Sequence, residues 1–211
     1  MDKGREQYLK YDLYRYFYDE EDSPDISLIK KIKIILLTQA IWTLIVYRAG
    51  FWCVRNRERY GGLPKLALPF LTILQKFAEV ATGMEVPFTA RIGRGLYIGH
   101  FGQVILSTRT VMGEFCNISQ GVTIGQAGRG GEQHTPVIGN RVYIAPGAKI
   151  FGKLNIGNNV AIGANAVVTK DLPDNAVAVG IPAKIIHYGS SRDFIVFDEK
   201  RMGLRDSDAA G

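Results

Sequence analysis

His100, His134 and His187 are the only histidines in the 211-residue sequence. An imidazole titrates near pH 6.5, so its neutral form can take a proton from a hydroxyl at neutral pH. His100 stands in the run YIGHFG, and His134 in the glycine-rich run GQAGRGGEQHTPV. A single histidine is more often structural than catalytic, but two of them outside a packed framework make a candidate acid–base pair. Cys53 and Cys116 are the only cysteines, without Cys-x-x-Cys spacing, which suits a reducing, cytoplasmic setting. The opening residues MDKGRE lack the apolar run of a secretory signal. With 26 Lys+Arg against 20 Asp+Glu the net charge is +6, which suits a polyanionic small molecule or an anionic membrane face. Nucleic acid has only that charge in its favour and is not expected as a partner. The GRGG stretch is followed by no Gly-Lys-Ser/Thr and opens no helix, so it is not a nucleotide phosphate loop.

A repeat must position these groups. From Ile138 every sixth residue is apolar and branched: Ile144, Ile150, Ile156, Ile162 and Val168 follow. Earlier copies begin at Ile92, Ile98 and Val104, slip by two residues, and resume at Met112, Ile118 and Ile124. A period of six fits neither a helix nor plain strand alternation. It is the mark of a parallel β-helix in which three hexads close one triangular coil and the apolar anchors point inward. Glycines can take φ > 0 at its corners. His100, two residues after the anchor Ile98, then faces outward at a corner. Ile124 and Ile138 are 14 positions apart, two more than two hexads need, so the polar stretch between them protrudes as a loop bearing His134. Cys116 holds the fourth position after Met112, where other hexads place Val or Ala, and is expected to pack.

The chain before the repeat is built differently. Of 24 glycines, 18 fall in residues 83–189, whereas 13 of 22 aromatics fall in residues 1–82. Ser23, Pro24 and Asp25 read as a helix start, with a helical segment over about 27–58 stopped at Gly61 and Gly62, and another over about 63–80. Tyr8, Tyr11, Leu13, Tyr14, Phe17 and Tyr18 suggest a further helix with an aromatic packing face. Residues 34–54 approach the length of a membrane span, but Arg48 near the middle would cost roughly 2.5–3.5 kcal/mol, so burial in an oligomer is the expectation. Peripheral association with the inner face of a membrane is compatible with the flanking lysines. The class is α+β: a helical assembly domain (1–82), a β-helix domain (83–187) and a tail (188–211) whose Phe194, Ile195, Val196 and Phe197 can pack on the β-helix.

The runs TGMEVPFTARIGRGLYIGH, SQGVTIGQAGRGGEQH, GANAVVTKDLP and GIPAKII resemble the serine acetyltransferase branch of the hexapeptide-repeat acyltransferases, over about residues 80–187. The resemblance implies a left-handed parallel β-helix, assembly as trimers or dimers of trimers, and acetyl-CoA as co-substrate, with no metal. It aligns His100 with the catalytic histidine, Glu85 with its carboxylate partner and His134 with the loop histidine. It implies coenzyme contacts from Ala145, Pro146, Ala164, Thr169, Lys170 and Lys184. Serine-specific members carry an Asp before the catalytic histidine and an Arg before the loop histidine, whereas this chain has Gly99 and Gln133. Without those charges free serine loses its strongest contacts. A sugar of a surface polysaccharide or its precursor is therefore the preferred acceptor, with serine the alternative. A zinc enzyme needs three shared histidines and is disfavoured; a non-catalytic scaffold would leave His100 without a use.

Overall fold

In the computed structural model, residues 8–17, 26–128 and 133–197 are described. Four helices come first: α1 (Tyr8–Phe17), α2 (Leu28–Leu37), α3 (Gln39–Tyr60) and α4 (Gly62–Thr82). The expected start at Ser23 lies outside the described residues. α2 is capped instead by Ser27, whose hydroxyl accepts from the Lys30 amide. The expected single helix over 27–58 is broken at Thr38, where α2 and α3 meet at 88°. Among the described residues no single helix is long and apolar enough to cross a membrane. Much of the apolar 34–54 segment is core within one chain: Ile41, Leu44 and Tyr47 are fully buried. Gly61, at φ 53°, turns the chain into α4, which packs back on α3.

From Met84 the described chain runs through β1 (Met84–Glu85), β2 (Arg91–Ile92), β3 (Tyr97–Ile98), β4 (Val104–Leu106), β5 (Val111–Met112), β6 (Asn117–Ile118), β7 (Thr123–Gly125), β8 (Val137–Ile138), β9 (Tyr143–Ile144), β10 (Lys149–Phe151), β11 (Asn155–Ile156), β12 (Ala161–Ile162), β13 (Val167–Val168), β14 (Val177–Val179) and β15 (Lys184–His187). Up to β13 every third strand shares a sheet, and β14 and β15 close the last one, giving the orders β1-β4-β7-β10-β13, β11-β8-β5-β2 and β15-β14-β12-β9-β6-β3. All pairings are parallel except β14–β15. This is the three-sided β-helix the hexads predict. Its interior is a set of stacked anchors, such as Ile98 on Ile118 on Ile144 on Ile162, each about fully buried.

Two features of the repeat differ from the sequence reading. Leu106, not Val104, stacks on the anchor Ile124, so the two-residue slip falls before β4. Later coils need no more room, since Ile138 stacks on Ile156 and Ile144 on Ile162 at the regular spacing of 18. The loop is also longer than two surplus residues, because Met112 stacks on Ile138, 26 positions on and eight beyond the regular 18. Glycines take positive φ at corners as expected, Gly95, Gly121 and Gly147 among them, and other residues join them. Phe115, Arg141, Asn159 and Asn175 all hold positive φ at successive levels below Gly95. Asn tolerates that region locally, and Phe115 is held in it by rings: Tyr11 edge-on at 6.3 Å and Phe197 stacked at 5.1 Å. The tail packs as expected, with Phe194 stacked on Tyr143 and Ile195 buried.

The helical half grips the first coil with polar side chains. Arg48 and Asp12 form a buried ion pair, 2.6 Å from Nε to carboxylate. The Arg48 guanidinium also donates to the carbonyls of Ile92 and Gly93. Burial pushes the Asp12 carboxyl up, opposed by the Arg48 charge and the Leu96 amide that donates to it.

Candidate active site

Both candidate histidines sit where the coil departs from its register. In the second coil the step from Ser119 to Gln120 turns the corner into β7, and the Gln120 carbonyl accepts from Gly147. In the first coil the Gly102 carbonyl plays that part toward Gly121, while Gly99 occupies the level of Ser119. The two surplus residues are therefore His100 and Phe101. Both are exposed, so the slip is a bulge that pushes the imidazole out of a corner. Gly102 at φ 106° and Gln103 at φ 52° return the chain to the ladder.

The eight surplus residues of the loop are 127–134. Their ends close on each other: the Ala127 amide donates to the His134 carbonyl and the His134 amide to the Ala127 carbonyl, both at 3.1 Å. The loop root is tied to the coil above by Gln126, whose side-chain amide donates to the Ser107 hydroxyl at 3.0 Å. His134 is half-buried at the closing position and Gln133 is exposed.

Between the bulge and the loop root lies the outer face of the sheet β1-β4-β7-β10-β13. Its outward ladder reads Glu85, Ile105, Thr123, Lys149 and Val167. Glu85 heads that ladder, exposed. Among the described residues no side-chain hydrogen bond joins it to His100. The resemblance gave no role to Lys149, which stands mid-face with its ammonium donating to the Gly121 carbonyl and the Thr123 hydroxyl. Its place was readable, since the residue before each anchor points outward.

The residues expected to hold the coenzyme divide between two corners. Pro146 and Ala164 stack in register below the bulge, the Pro146 carbonyl accepting from Asn165. Lys184 pairs with Val179 at the end of the same column. Ala145 belongs there too, but its amide is spent on the Ile162 carbonyl and its side chain is buried, which leaves it no donor for a phosphate. Thr169 and Lys170 follow β13 on the other corner, below the loop root, and are exposed. Two concavities, of about 720 Å³ beside Lys65 and Thr72 and 460 Å³ beside Tyr8 and Trp52, lie in the helical half away from this chemistry.

Cys116 is not placed to act as a nucleophile. Cys116 is fully buried with its thiol toward the Gly139 carbonyl at 3.3 Å, and burial pushes that thiol up to about 12. Among the described residues no group of three or more His, Cys, Asp or Glu side chains could hold a metal ion.

Comparison with known proteins gives this geometry its family. A serine acetyltransferase of Helicobacter pylori strain J99 is 36% identical over 178 residues, covering 84% of this chain and 96% of its own. The chain belongs to the serine acetyltransferase family. A second relative, from Synechococcus elongatus, is 32% identical over 161 residues and 76% of this chain, which spans 62% of that relative's length. Among solved structures, a Brucella abortus serine acetyltransferase in complex with coenzyme A matches with a TM-score of 0.70 at 25% identity, over 85% of this chain and 66% of its own. No protein-family model matches the sequence. The family's left-handed parallel β-helix is the fold found here.

Proposed function

We propose that the protein transfers the acetyl group of acetyl-CoA to a hydroxyl oxygen, with serine as the acceptor. The activity of the serine acetyltransferase relatives supports serine, and the observation that carries the chemistry is the bulge that presents His100 above Pro146 and Ala164 beside the Glu85 face. In this reading neutral His100 takes the acceptor's hydroxyl proton as the oxygen attacks the thioester carbonyl carbon. The carbon–sulfur bond then breaks, and the imidazolium returns its proton to the departing thiolate. Glu85 orients the ring and offsets its transient charge. Lys170 and Lys184 supply cations toward the coenzyme phosphates.

One observation favours a second acceptor, a neutral polyhydroxylated sugar. Gly99 stands where serine-specific members carry an acid, and its backbone does not require glycine: its φ is not positive, and a Cβ there would meet only the Tyr97 ring at 3.5 Å. The missing charge therefore bears on the acceptor and not on the fold. Thiol release from acetyl-CoA, measured with serine and with a panel of neutral sugars, separates the two. Turnover with millimolar serine supports the first reading, and turnover confined to a sugar replaces it with the second. Gly99→Asp raises the preference for serine in either case.

The same reading has the chain assembling as a trimer whose neighbouring copies complete the exposed site. Leu63, Leu66, Phe70, Ile73, Phe77 and Val80 recur along α4 at alternating steps of three and four, each between 62% and 88% exposed. That spacing is a helix–helix seam. Six such side chains and their flanks approach the roughly 800 Å² per partner of a stable interface.

A further inference from the structure

The first coil of a β-helix has no coil above it, so one edge of its backbone should lack partners. Within the stack each level is held from both sides: the Ile118 carbonyl, for example, receives the Gly99 amide of the coil above. At the open end the helices supply these contacts. The Leu96 amide donates to the Asp12 carboxylate at 2.9 Å, and the Ile98 amide to the Tyr16 hydroxyl at 2.9 Å. The Tyr16 hydroxyl in turn donates to the Ile98 carbonyl at 3.1 Å. One hydroxyl thus gives and receives at Ile98 what a preceding strand gives and receives at Ile118, within the capacity of a phenol.

We propose that α1 acts as a substitute coil and that Tyr16 is a positioning residue for His100, a role that rests on the acetyl-transfer reading above. Ile98 is the last residue of β3, and the bulge bearing His100 leaves the ladder immediately after Gly99. The bulge is anchored on its near side at Ile98 and Gly99, and on its far side where Gly102 accepts from Gly121 at 3.1 Å. Tyr16 fixes the near anchor from above. Its own ring is held against Tyr97, with centroids 4.8 Å apart, and burial keeps the phenol protonated, as its donated bond requires. Removing the hydroxyl loosens the near anchor at Ile98 and leaves the Gly99 bond to Ile118 and the imidazole untouched. Displacement of a catalytic group by about 1 Å can lower turnover by up to ~100-fold.

Tyr47 is an internal control, because its buried hydroxyl caps the same open edge at the Ala90 carbonyl, at 2.8 Å, away from the bulge. The experiment compares Tyr16→Phe and Tyr47→Phe in the full chain by kcat, KM for acetyl-CoA, Tm and amide hydrogen exchange. Expected for Tyr16→Phe is faster exchange at Ile98, a kcat lowered about tenfold or more, and an unchanged KM. Tyr47→Phe is expected to lower Tm comparably with kcat unchanged. A Tyr16→Phe enzyme with wild-type kcat overturns the positioning role, as does an equal kcat loss in Tyr47→Phe. Unchanged Ile98 exchange overturns the substitute coil itself. Because exchange needs no turnover, that outcome stays distinct from a failure of the acetyl-transfer reading, which a wild-type protein inert toward acetyl-CoA would reveal.

Discussion

The two halves of the molecule invert each other's use of polar and apolar side chains. In the β-helix the apolar residues are periodic and buried, and the groups able to react stand on the two interruptions of the period. In the helical half the charged pair Asp12 and Arg48 is buried, while Leu66, Phe70 and Phe77 face outward. The contrast separates two tasks. A lattice of stacked hexads stabilises itself coil by coil and so tolerates a bulge and a loop that carry the proposed acid–base groups. The helices close the lattice's open end with polar bonds and leave an apolar stripe exposed along α4, the seam proposed above.

That division can be broken experimentally, and the largest effect belongs to the interruptions. His100→Ala should lower kcat by about 10²–10⁴-fold with Tm unchanged, since the imidazole is exposed and holds no part of the ladder; a matching loss of Tm would show that the bulge is structural. Next comes the latch. Asp12→Ala leaves the Arg48 charge buried without its partner and should cost about 3–5 kcal/mol in denaturant unfolding. Within the lattice, Ile144→Ala opens a cavity between Ile118 and Ile162 and should cost about 2–5 kcal/mol. The smallest effect on the fold of one chain is expected at the seam. Phe70→Asp together with Phe77→Asp should leave far-UV circular dichroism unchanged and shift sedimentation toward monomer; an unchanged sedimentation coefficient would contradict the seam.

The β-helix was legible because its physics is periodic. Each anchor from Ile138 to Val168 must be apolar and every sixth residue must repeat it, so sequence alone gives the coil, its inward face and the protruding loop. The interruptions were legible as slips but not in position, since Val104 and Leu106 are both apolar and both buried, and only strand register tells which is the anchor. Corners such as Phe115 were missed because long-range ring contacts override its aversion to positive φ. The latch was hidden for the same reason: Asp12 and Tyr16 meet Leu96 and Ile98 across more than 80 residues of chain. Of the candidate site, His100, Pro146, Ala164 and Lys184 fall along one corner column. Thr169 and Lys170 fall on another, as the hexad count already separates them: Pro146 and Ala164 are 18 residues apart, whereas Ala164 and Lys170 are one hexad apart.

The most direct test removes the interruption and keeps the lattice. Deleting His100 and Phe101 joins Gly99 to Gly102 as Ser119 joins Gln120 one level below, and thiol release from acetyl-CoA is then followed beside thermal melting. The shortened chain is expected to melt within a few degrees of the full one and to transfer no acetyl group to any acceptor the intact protein uses. Undiminished acetyl transfer by the shortened chain would contradict that expectation.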